Sequence, residues 1–227
     1  MTVYWTFGLD LGQRRDHSAI AALNLTWIPQ GQCKVTYEWL FQPLLTLRCL
    51  ERFPLGMSYE DLITVVAEKL RTIDQRLMTS PMATQPKKEL IIDAGGPGIP
   101  FIERLRRTVS RGIRITPVMI TGGKTANALE GGFTGIPRRA LIAQLLFVMS
   151  VKSLRAPLNL PGWEIFEEEL LELSATTSHP VSHDAHDDMV LACALAVSAA
   201  VRDIPELLPE KKEARLSGSN PDSWPFY

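Results

Sequence analysis

Apolar residues first fall into three short runs: Tyr4 to Leu11 (YWTFGLDL), Ser18 to Trp27 (SAIAALNLTW) and Cys33 to Phe41 (CKVTYEWLF). Their aromatic and β-branched content predicts three strands, the first closed by Gly12. The second and third are expected to join across Pro29-Gln30-Gly31 as an antiparallel meander. The period then changes. Leu62, Val65, Val66, Leu70, Ile73 and Leu77 recur at helical spacing, and Ser58-Tyr59-Glu60-Asp61 before them resembles a capping box. A loop over 78–88 leads to a short buried strand, Glu89 to Asp93 (ELIID), broken by Gly95-Gly96-Pro97-Gly98. A helix over 99–108 and a strand over 114–120 follow.

Thr121 to Gly135 (TGGKTANALEGGFTG) reads as a long, mobile glycine-rich loop. Pro137 suits the first turn of a helix running to Lys152. A further helix, Trp163 to Leu173, carries Glu164, Glu167, Glu168, Glu169 and Glu172. The last begins near Asp188 and is apolar nearly all round, so it should be buried. Strands first, then alternating helix and strand, then helices predict an α/β fold: a mixed central sheet with helices on both faces. One domain is expected over 1–204, with 205–227 as a flexible, charged C-terminal tail.

Composition narrows the class. At 45% apolar and 22% charged residues the chain reads as an ordinary soluble globular protein. Cys33, Cys49 and Cys193 are odd in number and lack CxxC spacing, which argues against a disulfide frame or zinc knuckle and for a reducing, cytoplasmic location. The N-terminus has no signal-peptide pattern, and the longest apolar run, Met189 to Val201, is too short to span a bilayer. The net charge of −1 hides an asymmetry: 12 basic and 4 acidic residues over 87–155, against 4 basic and 13 acidic over 156–227. Such a split suits one face turned to a polyanion and another rich in carboxylates.

Three acidic sites stand where chemistry is expected. Asp10 lies in an apolar strand, Asp93 closes a central strand, and Asp187 and Asp188 open the buried last helix. In open α/β sheets ligands collect at strand ends. A carboxylate in an apolar strand costs several kcal/mol unless it is paired or binds a metal. A cluster of carboxylates repels itself unless divalent cations neutralise it, and oxygen-only ligands suit Mg²⁺ or Mn²⁺. Each acid also has a plainer role: Asp10 accepting turn bonds, Asp93 forming an Asx-turn, Asp187 or Asp188 capping the helix.

The acids in order resemble a known family. GLDLGQRRDHSAIAAL, ELIIDAGGPGIPFIERL, TGG…GIPRRALIAQL, EIFEEELLEL and HDDMVLACALA are similar, over about residues 4 to 200, to the nuclease domain of phage terminase large subunits. The resemblance implies an RNase H-like fold and a metal-dependent endodeoxyribonuclease that acts on double-stranded DNA during viral DNA packaging. Asp10, Asp93 and Asp188 would be ligands of two Mg²⁺ or Mn²⁺ ions, with Asp187 as a fourth. The ions, about 4 Å apart, would activate water for in-line attack and stabilise the leaving 3′ oxygen. Arg138, Arg139, Lys124 and Arg107 would hold phosphates, and Asp16 and His186 would stand just behind the ligands. No ATPase motor sequence is present, so the chain reads as a separated nuclease domain or a stand-alone relative, with an ATPase motor supplied separately or terminase or portal components as the partners the resemblance implies.

Other readings compete. Gly122-Gly123-Lys124-Thr125 looks like the end of a P-loop, but Val118 stands where its first glycine is needed. Actin-like sugar kinases share GLDLGQ-like strings but need two similar domains. His179 and His183 have a zinc-helix spacing that Pro180 interrupts. A resolvase-like nuclease would carry the same acids, and a non-cutting nucleic-acid-binding module is the alternative outside enzymes.

Overall fold

In the computed structural model, residues 4–12, 16–78, 86–95, 98–109, 112–129, 133–176 and 187–204 are described. The elements run β1 (Tyr4–Asp10), β2 (Ala19–Gln32), β3 (Trp39–Arg52), α1 (Tyr59–Met78), β4 (Lys87–Asp93), α2 (Gly98–Thr108), β5 (Arg114–Thr121), β6 (Asn127–Ala128), β7 (Thr134–Pro137), α3 (Arg138–Ser150), β8 (Leu154–Arg155), α4 (Trp163–Thr176) and α5 (Asp188–Asp203). They build one eight-stranded sheet in the order β6-β7-β5-β4-β1-β2-β3-β8. Within the central five, β3-β2-β1-β4-β5, only β2 runs against the rest. That order and polarity make the fold RNase H-like, as the sequence resemblance implied.

The two-residue period of the strands sorts the core into two layers. Phe7, Leu9, Ile20, Leu90 and Ile92 face α1 and α2, where they meet Leu62, Val66, Leu70, Phe101 and Leu105. Ala21, Leu23, Leu25 and Ile91 face the other way, against Leu141, Leu145 and Val148 of α3, Phe166 of α4 and nearly all of α5. On β1 the residue between Phe7 and Leu9 is Gly8, and the small size matters there. A Cβ on Gly8 would overlap the Ala192 carbonyl oxygen and lie 2.7 Å from the Ala196 amide nitrogen. Gly8 and the alanines of α5 thus let helix and strand backbones touch. This close approach fixes where α5 begins relative to the end of β1.

The hairpin between β2 and β3 differs from the expected one. β2 continues through Pro29 with a register shift between Pro29 and Gly31, and the turn lies at 33–38, closed by Tyr37 N–H to the Cys33 carbonyl at 2.9 Å. Among the described residues, β2 beyond Leu25 pairs with β3 alone. A strand with one open edge tolerates a proline, which is why Pro29 does not end it. The glycine-rich loop is also partly structured: Asn127–Ala128 pairs antiparallel with Thr134–Pro137. Both strands are too short to show a period, as is β8. The expected cap holds, with Ser58 Oγ accepting the Asp61 N–H at 3.1 Å. The tail from 205 and His179, His183 and His186 lie outside the described residues. Among the described residues no helix is long and apolar enough to cross a membrane.

Candidate functional site

Asp10 and Asp93 end adjacent parallel strands. The register Leu9↔Ile92 brings the next residue of each strand, the two aspartates, to the same edge. Asp10 has the parity of Gly8, and Asp93 that of Ile91, so both belong to the face covered by α5. Helix α5 starts at Asp188, which is 7% exposed, as is Asp10. Burial pushes the Asp10 carboxyl well above the ordinary aspartate value, and the negative charges of Asp93, Asp188, Asp187 and Glu169 push it further. All four sequence-selected aspartates therefore act on one neighbourhood.

Each acid is held differently. Asp93 Oδ1 accepts the Gly95 N–H and the Ile120 N–H, both at 3.1 Å. The Asx-turn is present, and both bonds fall on the same carboxylate oxygen. Burial raises the Asp93 carboxyl, and these two bonds oppose the shift. Asp187 occupies the N-cap position of α5 without using its side chain as a cap. Its Oδ2 accepts instead from Arg138 Nη2, the first residue of α3.

The side chain that caps α5 comes from another helix. Glu169 of α4, 4% exposed, accepts the Met189 N–H at 2.9 Å and the Val190 N–H at 3.0 Å on one oxygen, Oε2. Its other oxygen, Oε1, is buried without a hydrogen bond among the described residues and lies 3.6 Å from Arg52 Nη1. Burial, opposed by the Val190 N–H bond and reinforced by Asp188, brings the Glu169 carboxyl up to about 7. In the sequence Glu169 is one of five glutamates on an acidic helix, with nothing in its residue type to set it apart. The signal was its place beside Phe166, Leu170 and Leu173, on the stripe that α4 packs against the core.

The basic candidates divide. Arg138 is beside the acids through Asp187, and Arg139 Nη2 donates to the Lys124 carbonyl at 2.9 Å, tying the glycine-rich segment to the start of α3. Arg107 is exposed near the end of α2, a helix on the opposite face that leads away from Asp93, so the fold does not bring it to the acids. Asp16 is exposed in the turn between β1 and β2. Arg52 was not anticipated.

Among the described residues, no three His, Cys, Asp or Glu side chains lie close enough to share one ion. The donor set nonetheless suits a hard divalent cation. It is carboxylate oxygen throughout, sits at strand ends, and includes an Asp10 carboxyl whose buried charge only a cation or proton neutralises.

The chain is similar to three viral nucleases of known structure. It matches the large terminase nuclease of thermophilic phage G20c at 19% identity and a TM-score of 0.46, covering 86% of this chain and 82% of that one. The human cytomegalovirus terminase nuclease domain, Mn soaked, matches at 18% and 0.45, covering 90% and 83%. The g2p large terminase nuclease domain of bacteriophage SPP1, with bound Mn, matches at 10% and 0.42, covering 87% and 86%. No protein-family model matches the sequence, and no curated protein matches it.

Proposed function

We propose that this chain is a divalent-metal-dependent DNA endonuclease of the terminase nuclease type, hydrolysing phosphodiester bonds with two Mg²⁺ or Mn²⁺ ions in a viral DNA packaging context. The observation that carries the proposal is the convergence of Asp93, Asp188, Asp187 and Glu169 on the buried Asp10. Like charges gathered in a low-dielectric corner destabilise a fold by themselves, and divalent cations remove that cost.

Asp10, Asp93 and Asp188 would hold the ions, with Asp187 at the edge of the set. When bound, the ions would polarise a phosphodiester and a water molecule and neutralise charge on the leaving oxygen. The protein's own share is positioning. Gly95 and Ile120 amides hold Asp93, and Gly8 lets α5, which begins at Asp188, lie directly against β1. Arg138, held by Asp187, would take a DNA phosphate at the rim, and Arg139 and Lys124 would extend the contact without reading sequence. An ATPase motor, with terminase or portal components, would deliver the DNA.

Plasmid nicking and linearisation in Mn²⁺, Mg²⁺ and EDTA test the proposal. Wild type should cut only with metal, and Asp10→Ala and Asp188→Ala should each lose at least about a hundredfold, since even residues behind a ligand typically cost 10–100-fold. A folded wild type that cuts in EDTA, or variants that cut at full rate, would refute it.

A further inference from the structure

Helix α5 carries Asp188 in its first turn, so the direction of its first peptides decides where that carboxylate stands. A helix start has backbone N–H groups with no partner in the helix itself, and a side chain at the N-cap usually supplies an acceptor. Here that arrangement is divided between elements. Asp187 stands at the N-cap but turns to Arg138, and the acceptor for two of the open N–H groups is the Glu169 carboxylate from α4. The two bonded residues, Met189 and Val190, immediately follow Asp188. Arg52, at the end of β3, stands 3.6 Å from the second Glu169 oxygen and ties the same carboxylate to the sheet.

We infer that Glu169 is the positioning residue of this site: by capping α5 from α4 it fixes the orientation of Asp188 and releases Asp187 to hold Arg138. The inference rests on the proposed metal-dependent function. Three features make Glu169 specific. It is 4% exposed, so its carboxylate is not an incidental surface contact. One oxygen accepts both amides, which fixes the peptide planes on each side of Met189. The neighbouring Gly162, at φ +83°, has no room for a Cβ, which would lie 2.6 Å from the Leu50 carbonyl oxygen and 2.7 Å from Met189 Cε. The start of α4 is thus pressed against both β3 and the first turn of α5.

Two substitutions separate positioning from a ligand or charge role. Glu169→Gln removes the charge and keeps a carbonyl oxygen able to accept both amides. Glu169→Asp keeps the charge and withdraws the acceptor by one methylene. Mn²⁺ affinity by titration calorimetry, and hydrogen exchange of the Met189 and Val190 amides in EDTA, are read for both variants and wild type. Positioning predicts that Gln stays within about threefold of wild type in Mn²⁺ affinity with both amides protected. Asp should lose about tenfold or more and expose them, the range typical of residues that orient ligands. The reverse order, or two variants indistinguishable from wild type, overturns the inference.

The amide readout needs no metal and no cleavage. A wild type that binds no Mn²⁺ and cuts no DNA would sink the proposed function, while the exchange pattern still decides whether Glu169 holds the start of α5. Should either variant fail to fold, the surviving one decides: protected amides in Gln, or exposed amides in Asp, support the inference, and the opposite refutes it.

Discussion

Helix α5 joins two regions built from the same residue types with opposite electrostatics. At its start the charges of Asp93, Asp188 and Glu169 act on Asp10, Arg52 pairs with Glu169 and Arg138 with Asp187, and the Asp10, Asp93 and Glu169 carboxyls are raised. At its end, among the described residues, Glu89 and Asp203 are paired with cations. Glu89, 3% exposed, takes Arg202, Thr116 and Arg114, while Asp203 takes Lys87 at 2.6 Å and Asp74 takes the buried Lys88. Burial would raise Glu89 and Asp203 as well, but hydrogen bonds from Arg202 and Thr116 to the first, and from Lys87 and Arg202 to the second, hold both below the ordinary range. A fold that holds Glu89 and Asp203 below the ordinary range at one end of a sheet, and raises Asp10, Asp93 and Glu169 at the other, uses the second end for something other than stability.

Because α5 spans both regions, the largest expected effect comes from moving it. Gly8→Val would drive α5 off β1, costing about 3 kcal/mol, at the upper end of overpacking, with loss of Asp188 geometry. Urea denaturation and plasmid cutting should fall together; a variant that retains both would mean the helix seats itself by other contacts. Next comes a change confined to the matched end. Glu89→Gln leaves Arg202 and Arg114 without their carboxylate and should cost about 1–3 kcal/mol while leaving metal-dependent cutting intact. Loss of cutting without loss of stability would contradict the separation of the two regions.

The smallest effect is a difference of sign with pH. In EDTA, Glu169 has its folded value raised from 4.5 to about 7, so the native state binds the proton more readily than the unfolded chain. Its contribution is fully present below about 4.5 and is lost as pH rises through about 7. Glu89 and Asp203 have lowered values, so their contribution is present above 4.5 and 3.8 respectively, and lost as pH falls through the lower folded values. Metal-free stability should therefore climb from pH 7.5 to pH 5 and fall again below about pH 4. Glu169→Gln should flatten the neutral limb and Glu89→Gln the acidic one.

Much of this was legible in the residues. The first two strands, β4, β5, the helices, the buried final helix and the choice of four aspartates as candidates follow from period, capping and an acid standing in an apolar strand, whereas β6, β7 and β8 are too short to show a period. Pro29 misled because an edge strand excuses a proline, and nothing in the sequence says which stretch of β2 lacks a second neighbour. Glu169 was hidden for a related reason. Whether a glutamate on an acidic helix faces solvent or a distant helix start depends on how α4 packs against α5, and that is tertiary. Arg107 shows the converse, a basic residue in the right stretch of sequence that the helix carries to the other face.

The most direct test of the central claim is the melting temperature of wild type and Asp10→Asn in EDTA and in Mn²⁺. The carboxylates are expected to destabilise the metal-free fold, so Asp10→Asn should melt above wild type in EDTA at pH 7.5. Mn²⁺ should raise wild type markedly and Asp10→Asn little. A wild type indifferent to Mn²⁺, together with an Asp10→Asn that melts lower in EDTA, would mean that Asp10 is a structural carboxylate and that the acidic end holds no metal.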